Sequence, residues 1–236
     1  MQRTKVWLAA AGTVVLVLGL ATPEVQATKL AEAAIFFEIN DTDGDAGIQI
    51  FLDGEGWNSM TVTDPDGNKI LDISAAGSIG MQGITELFFE SAEPSFDEQP
   101  LADLLALFPE GHYKFRGRTT EGVALVGMAR LTHALPAAPA LVLPVEDDDE
   151  VDPNNTVIQW QLVPDPAGSK IVSYHIVVET DEGKLRIFTA DMGPDATSVT
   201  VPAEFLEPGT EYKFEVLAIE ASGNQTISER AFETAD

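Results

Sequence analysis

The last third of the chain contains a segment in which a turn leads directly into an alternating strand: Phe205-Leu206-Glu207-Pro208-Gly209-Thr210-Glu211-Tyr212-Lys213-Phe214-Glu215-Val216. Pro208 and Gly209 favour a tight turn, because proline presets φ and glycine accepts a positive φ. After the turn, aromatic and aliphatic residues alternate with charged ones, which is the period of a strand with one buried face. We therefore expect a tight turn followed by a strand with one buried face.

The same alternation recurs through the rest of this half, in short segments separated by turn residues such as Ser222-Gly223-Asn224. This pattern predicts an antiparallel sandwich. Several markers together resemble a fibronectin type III domain over nearly all of residues 136–236: Trp160, Tyr174, Leu206, Pro208, Gly209 and Tyr212. The resemblance implies a sandwich corner at which the buried Tyr212 hydroxyl bonds back to nearby backbone. It also implies a spacer or a module that binds protein or sugar, with contacts at sheet edges and end loops.

A domain boundary is predicted where proline and alanine cluster, at Leu135-Pro136-Ala137-Ala138-Pro139-Ala140. The cluster has neither a strand nor a helix period and is typical of a short, stiff linker. It divides the chain into domains at residues 28–135 and 136–236.

The first half is predicted to be a second, immunoglobulin-like sandwich with one short helix. Alternating segments begin at Ile35, Ile48 and Trp57, and an apolar segment at residues 84–89 is interpreted as a buried strand. Between Pro100 and Phe108, leucines at helical spacing follow a proline suited to the first turn. The next segment, Pro109-Glu110-Gly111-His112-Tyr113, repeats the corner pattern of the second half. The fold class is therefore all-β, with two tandem antiparallel sandwiches.

The amino terminus indicates export. Arg3 and Lys5 precede an apolar run that ends near Ala21, and Val25-Gln26-Ala27 suits a signal peptidase. We expect a signal peptide at residues 1–27, and the alternative is an uncleaved anchor. The run is shorter than the roughly 20 residues of a spanning helix, so we expect no membrane insertion after cleavage. The protein would then be periplasmic or extracellular.

Charge is the most extreme feature of the composition, with 13 basic residues against 39 acidic ones and a formal net charge of −26. Such a surface repels nucleic acid and anionic membranes, so neither is an expected partner. The chain contains no Cys, so stability has to come from packed cores.

The segment Asn40-Asp41-Thr42-Asp43-Gly44-Asp45 is the strongest candidate for a metal site. Asp41, Asp43 and Asp45 match the first ligand positions of a calcium loop, because carboxylates at alternate positions can converge on a hard cation. However, Ala46 and Leu52 stand where that loop requires Gly and Glu. Calcium is the expected cofactor if the segment binds one. The alternative is a polar hairpin turn.

No catalytic motif is found. His112, His133 and His175 lack zinc-ligand spacing, and Gly77-Ser78-Ile79-Gly80 lacks the pattern of a nucleophile elbow and is expected to be a loop. We therefore predict a secreted, non-catalytic binding, adhesion or spacer module with an unidentified protein or polysaccharide partner. Two alternatives stay open. One is a calcium-dependent adhesion or matrix protein, and the other is an enzyme or inhibitor with its site in the first domain.

Overall fold

The computed structural model describes residues 27–145, 148–180 and 186–236, so the predicted signal peptide lies outside them up to Gln26. Strands dominate this part of the chain. The first half contains β1 (Thr28–Lys29), β2 (Glu32–Asn40), β3 (Asp45–Thr63), β4 (Lys69–Ser74), α1 (Gly77–Gln82), β5 (Ile84–Glu90), α2 (Leu101–Leu107), β6 (Gly111–Thr119) and β7 (Ala124–Leu131). The second half contains β8 (Leu141–Leu143), β9 (Asp148–Val151), β10 (Val157–Trp160), β11 (Ile171–Thr180), β12 (Arg186–Met192), β13 (Ser198–Thr200), a 3₁₀ turn (Ala203–Phe205), β14 (Glu211–Glu220) and β15 (Gln225–Thr234).

The first half is organised around β3, which takes part in both layers of its sandwich. The beginning of β3 pairs with β2 and β5, and its end pairs with β4 and β6. β6 continues to β7, and β7 pairs with β1 in parallel. Side chains from both layers fill one core, in which Phe37, Trp57, Tyr113 and Phe115 are fully buried.

The sequence pattern predicted two separate strands where the structure has the single strand β3. The register shifts between Asp53 and Trp57, so the strand bends at Gly54-Glu55-Gly56 instead of ending there. A Cβ at Gly54 would lie 2.8 Å from the side chain of Leu30. The glycine therefore permits the close approach that lets one strand pass from one layer to the other.

The helix predicted between Pro100 and Phe108 is confirmed as α2, which buries Leu104 against the first core. A second short helix, α1, occupies Gly77–Gln82, where we expected a loop. Its six residues bury no side chain, so no apolar period marked it in the sequence. The segment at residues 84–89 is a strand as predicted, but β5 lies at a sheet edge and Phe88 is 56% exposed.

The second half is a two-layer sandwich, as the resemblance implied. One layer has the order β13-β10-β8 and the other β15-β14-β11-β12. Trp160, Tyr174 and Tyr212 are buried between the layers. The Tyr212 hydroxyl accepts the main-chain N–H of Glu207 at 2.8 Å, which confirms the predicted corner. In the first half, the Tyr113 hydroxyl donates to the main-chain oxygen of Pro109 at 3.1 Å, so the repeated sequence pattern builds a repeated corner.

A hydrogen-bonded seam joins the two sandwiches. Residues 225–227 of β15 pair in parallel with residues 38–40 of β2. One sheet consequently continues from the first half into the second. At its other end β15 pairs with β9, so Asp148–Val151, which includes the last three residues of the acidic run Glu146-Asp147-Asp148-Asp149-Glu150, forms a strand.

No helix in the described ranges is long and apolar enough to cross a membrane.

Candidate functional site

The predicted calcium segment is the tight turn between β2 and β3, and Asn40 holds it. The side-chain oxygen of Asn40 accepts the main-chain N–H groups of Thr42 and Asp43 at 3.0 and 3.1 Å. Its amide nitrogen donates to the Asp43 carboxylate at 3.1 Å. Gly44 closes the turn with φ of 71°. Hydrogen bonds within the turn therefore already use one of the three proposed ligands.

Asp45 is the member of the segment whose carboxylate is incompletely hydrogen-bonded among the described residues. Its Oδ1 atom is buried and has no hydrogen-bond partner within the described ranges. Loss of hydration raises the pKa of Asp45, and the charges of Asp43 and Glu229 raise it further. A cation beside this oxygen would compensate the negative charge of the carboxylate. Calcium binding by Asp41, Asp43 and Asp45 stays a prediction.

Three glutamates, rather than the three aspartates, come together in the structure. Glu38 on β2, Glu90 at the end of β5 and Glu93 just after it each place one carboxylate oxygen within 4.8 Å of the other two. No other set of three acidic, histidine or cysteine side chains in the described part of the chain meets this distance. We call these residues the glutamate cluster. Carboxylate oxygens are the ligands that hard divalent cations prefer.

The sheet explains why the glutamate cluster forms. Glu38 is paired in register with Gly47 on β3. A Cβ at Gly47 would lie 2.8 Å from Glu93 Cγ, so Glu93 occupies the space left by the missing side chain. The buried side chain of Gln49 donates to Glu90 at 3.0 Å, and Gln225 of the second half donates to Glu38.

Burial and mutual repulsion perturb the glutamate cluster. Loss of hydration raises the pKa of Glu93 to about 7, and the charges of Glu90, Glu38, Asp45 and Asp43 add to the shift. Burial also raises the pKa of Glu38, although its hydrogen bonds from Gln225 and Gln49 oppose the change. Because the Asp43 and Asp45 charges act on Glu93, the aspartate turn and the glutamate cluster form one electrostatic region. None of the ion pairs between described residues includes a member of the glutamate cluster.

The glutamate cluster borders a cleft of about 310 Å³ between the two halves. One wall comes from the outer face of β2, β3 and β5, and the other from the outer face of the sheet that contains β11, β12, β14 and β15. The cleft is lined among others by Glu38, Phe88 and Glu90 from the first half and by His175, Leu217 and Ile227 from the second.

The three histidines lie apart, and two of them have structural partners. His133 Nε2 lies 2.9 Å from the main-chain oxygen of Phe108, and the His133 main-chain N–H donates to Glu110. His175 Nδ1 lies 2.7 Å from Asp191 Oδ1. His112 is exposed on β6. None of the three belongs to the group of potential ligands found in the described ranges.

Asn224 is a structural residue of the junction that the sequence did not reveal, because it was interpreted only as part of a turn. It is 0% exposed and lies between β14 and β15. Its side-chain oxygen accepts the main-chain N–H of Phe37 at 3.0 Å, and its amide nitrogen donates to the main-chain oxygens of Thr132 and Ala134 at 2.9 and 3.3 Å. One side chain of the second half thus satisfies three backbone groups outside it.

Glu220 holds the backbone of Asn224 in place through a hydrogen bond. This carboxylate is 1% exposed and accepts the main-chain N–H of Asn224 at 3.1 Å and the hydroxyl groups of Ser169 and Ser222. Nearby, the Thr226 hydroxyl donates to the main-chain oxygen of Pro136 at 2.9 Å. The contact between the halves is therefore built on a buried polar network of directional hydrogen bonds. Such a network favours one relative orientation of the two sandwiches.

Comparison with known proteins agrees with this architecture. Residues 146–234 match the family model described as the fibronectin type III domain, so the second half carries a domain of that class. No curated protein sequence matches the chain.

Solved structures similar to the chain include several fibronectin type III modules. The fibronectin(III)-like modules of Clostridium thermocellum CbhA are 10% identical, with 87% of this chain and 94% of that chain covered and a TM-score of 0.35. The chicken CNTN1 FN1-FN3 domains are 10% identical over 89% of this chain and 65% of that chain, with a TM-score of 0.36. A two-domain fibronectin type III segment of chicken tenascin is also 10% identical, over 87% and 99% of the two chains, with a TM-score of 0.32.

Proposed function

We propose that this protein is an exported, non-catalytic binding or adhesion module that holds two β-sandwiches in a fixed relative orientation. The observation that carries the proposal is the junction at Asn224, where buried, directional hydrogen bonds connect the halves beside the β2–β15 seam. Leaving any of these buried groups unpaired costs free energy, so bending at the junction is opposed. A flexible pair of domains has no need for such a network.

The family match supports the same role. Fibronectin type III domains suggest binding, adhesion or spacing, and their fold is typically non-catalytic. Export is supported by the sequence of residues 1–27. Expression with the native amino terminus, followed by mass analysis of the product, tests export: a mature chain beginning at Thr28 is expected.

The fixed orientation can be tested by distance measurement, because a chain without Cys accepts two site-specific labels. Spin labels at Glu121→Cys and Asp195→Cys would lie in exposed turns of the two sandwiches. We expect one narrow distance distribution, which Asn224→Ala broadens. Asn155→Ala, an exposed asparagine whose side chain makes no contact across the junction, is the matched control. A broad distribution in the otherwise unchanged protein would contradict the proposal.

A second candidate function, calcium-dependent adhesion, is favoured by one observation: the glutamate cluster and the unpartnered Asp45 oxygen share a region with unbalanced negative charge. The test is a thermal melt of residues 28–236 at constant ionic strength in chelator, calcium or magnesium. An ion at ~100 times its dissociation constant stabilises the fold by about 2.7 kcal/mol, which raises the midpoint by several degrees.

Two variants identify the ligands in that experiment. Asp43→Ala abolishes the calcium effect if the aspartate turn binds the ion, and Glu90→Gln abolishes it if the glutamate cluster does. Glu90→Gln keeps an oxygen that can accept the Gln49 hydrogen bond, so the sheet is preserved. Equal midpoints in all three solutions would leave the rigid module without a calcium function.

A further inference from the structure

In a chain with three times as many acidic as basic residues, the outer surface of β6 is basic. Tyr113 and Phe115 point into the first core, so the alternate residues Lys114, Arg116 and Arg118 face outwards, and all three are exposed. At about 3.3 Å per residue, these cations are spaced about 7 Å apart and extend over about 13 Å. Lys114 and Arg116 make no ion pair or hydrogen bond with any described residue, and Arg118 donates only to the main-chain oxygen of Gly122.

The strand register places two further rows beside these cations. On β3 the paired residues carry hydroxyl groups: Ser59, Thr61 and Thr63 lie opposite Arg118, Arg116 and Lys114. On β7 the paired residues are apolar: Ala124, Val126 and Met128 lie opposite the same three cations. We call this surface of three parallel rows the basic face. Met128 is 60% exposed on it, so the apolar row is open to solvent at this end.

The basic face leads into a groove between the two halves. Met128 and the next outward residue of β7, Arg130, line this groove, whose volume is about 970 Å³. Lys170, Ser169 and Ser222 line it from the second half, together with His133 from the first. Glu110 is the one acidic residue of the groove lining within the described ranges. Arg130 and Lys170 make no ion pair with any residue that the structure describes.

We propose that the basic face and the groove form a binding site for a linear polysaccharide that carries carboxylate or sulfate groups. The anionic groups would bind the row of cations, as guanidinium and ammonium donors favour both oxyanions. Sugar hydroxyl groups would bind the neighbouring serine and threonine hydroxyls, and the less polar ring faces would lie on the row that ends at Met128. Arg130 and Lys170 would hold one further acidic sugar in the groove. This site specifies the class of ligand for the binding role proposed above, and the inference rests on that role.

The same surface fits other polyanions less well. Sequence-tolerant binding of single-stranded nucleic acid relies on aromatic side chains that stack on bases, and no Phe, Tyr or Trp lies in the three rows of the basic face. An acidic protein, including a second copy of this chain with its net charge of −26, would bring many charges near the other acidic surfaces. A thin polysaccharide contacts only the basic face, and at physiological salt charges more than about 8 Å away are screened.

The experiment measures binding to the folded residues 28–236 at 0.15 M NaCl by fluorescence anisotropy. The probes are labelled octasaccharides of heparin and of polygalacturonate, which are sulfated and carboxylated respectively, with neutral maltooctaose and a 20-nucleotide DNA strand for comparison. At least one acidic octasaccharide is expected to bind, and maltooctaose and DNA are not. The triple variant Lys114→Gln/Arg116→Gln/Arg118→Gln should weaken binding at least tenfold, and Lys170→Gln at least threefold.

A matched control distinguishes the loss of the three cations of the basic face from an equal change in the net charge of the protein. Asn155→Asp, Gln161→Glu and Ser198→Glu together change the net charge by the same three units at exposed positions of the second half, and they should leave the affinity within twofold. Thermal melts confirm that each variant is folded, and single substitutions at the three cations replace the triple variant if it is not. No binding of either acidic octasaccharide, or equal binding by the triple and control variants, would overturn the proposal.

Two other outcomes would reassign the basic face. Tighter binding of DNA would make it a nucleic-acid surface, and a concentration-dependent increase in mass that the triple variant abolishes would make it a contact with a second copy. Either would overturn the polysaccharide site. The distance measurement between labels at positions 121 and 195 is independent of these results, so a failure here leaves the rigid two-domain module standing.

Discussion

The main-chain N–H of Phe37 donates a hydrogen bond of 3.0 Å to the side-chain oxygen of Asn224, across 187 residues of sequence. Phe37 is itself a fully buried residue of the first core, so the bond ties the interior of one sandwich to a turn of the other. The Asn224 amide nitrogen donates hydrogen bonds to the main-chain oxygens of Thr132 and Ala134. Asn224 therefore adds three directional bonds to the main-chain pairing of β2 and β15 at the junction.

Replacement of Asn224 by alanine should destabilise the protein by about 1–3 kcal/mol, because a buried N–H group and carbonyl oxygens lose their partner. Urea denaturation measures the loss. Asn155→Ala serves as the control, since Asn155 is exposed, and should change the free energy of unfolding by less than about 0.5 kcal/mol. Equal stability of the two variants would show that water replaces Asn224 at the junction.

Each tyrosine corner should contribute separately to stability. Tyr212→Phe leaves the Glu207 N–H unpaired, and Tyr113→Phe leaves the Pro109 oxygen unpaired, so each should cost about 1–3 kcal/mol. The corners lie in different halves, and the double variant should show the sum of the two losses within about 0.5 kcal/mol. Chemical denaturation of the four proteins gives the cycle. A negligible loss of unfolding free energy in Tyr113→Phe would mean that the first corner resembles the second in geometry but does not stabilise the fold.

Stability should fall as pH rises from about 5 to about 8 in chelator. Glu93 has a pKa of about 7 in the folded protein, raised from its ordinary value of 4.5. Between these two pH values the folded state keeps a proton on Glu93 that the unfolded state has lost. The stabilising contribution is thus complete below 4.5 and lost as pH rises through 7. Glu38 and Asp45 act with the same sign.

Thermal midpoints at pH 5.5, 7.0 and 8.5 test this pH dependence. Glu93→Gln should flatten the profile and raise the midpoint at pH 8.5, because the variant removes the charge that the cluster disfavours. Asp72→Asn is the control: its carboxyl has a pKa held below 3.8 by the Lys69 hydrogen bond and charge, so it titrates outside this window. A profile that keeps its slope in Glu93→Gln would assign the effect to other groups.

Gly117→Ala should be strongly destabilising although the residue lies in a regular strand. An added Cβ would lie 2.4 Å from the main-chain oxygen of Ser59, and overpacking of this kind costs about 1–3 kcal/mol. Gly193 has nothing within 4 Å of such a Cβ, so Gly193→Ala should be neutral or slightly stabilising. Comparison of the two free energies of unfolding checks the close approach of β3 and β6.

Local patterns predicted much of the fold. Tyr212 and Tyr113 follow the same proline and glycine turn, and both build corners; α2 follows its leucine period. These features depend on residues close together in sequence. The continuity of β3 was missed because Gly54 and Gly56 are typical of turns, and only the position of Leu30 shows why they serve a bend.

The candidate site was less predictable for the same reason. The aspartates of the β2–β3 turn are adjacent in sequence and were found, whereas Glu38, Glu90 and Glu93 are brought together by the pairing of three strands. Among 39 acidic residues no local pattern distinguishes them. The role of Asn224 depends on a partner 187 residues away, and the basic face becomes visible only when the register aligns β3, β6 and β7.

The pairing of β15 also limits how the chain can be divided. An uncovered edge strand presents free N–H and C=O groups that recruit strands from other molecules. Here β9 protects one end of β15 and β2 the other, so a fragment beginning at residue 136 would lose half of that protection and expose the Asn224 turn as well. The first sandwich thus covers part of the open edge of the second, and we expect the pair, rather than either half, to be the unit that could be moved intact between proteins.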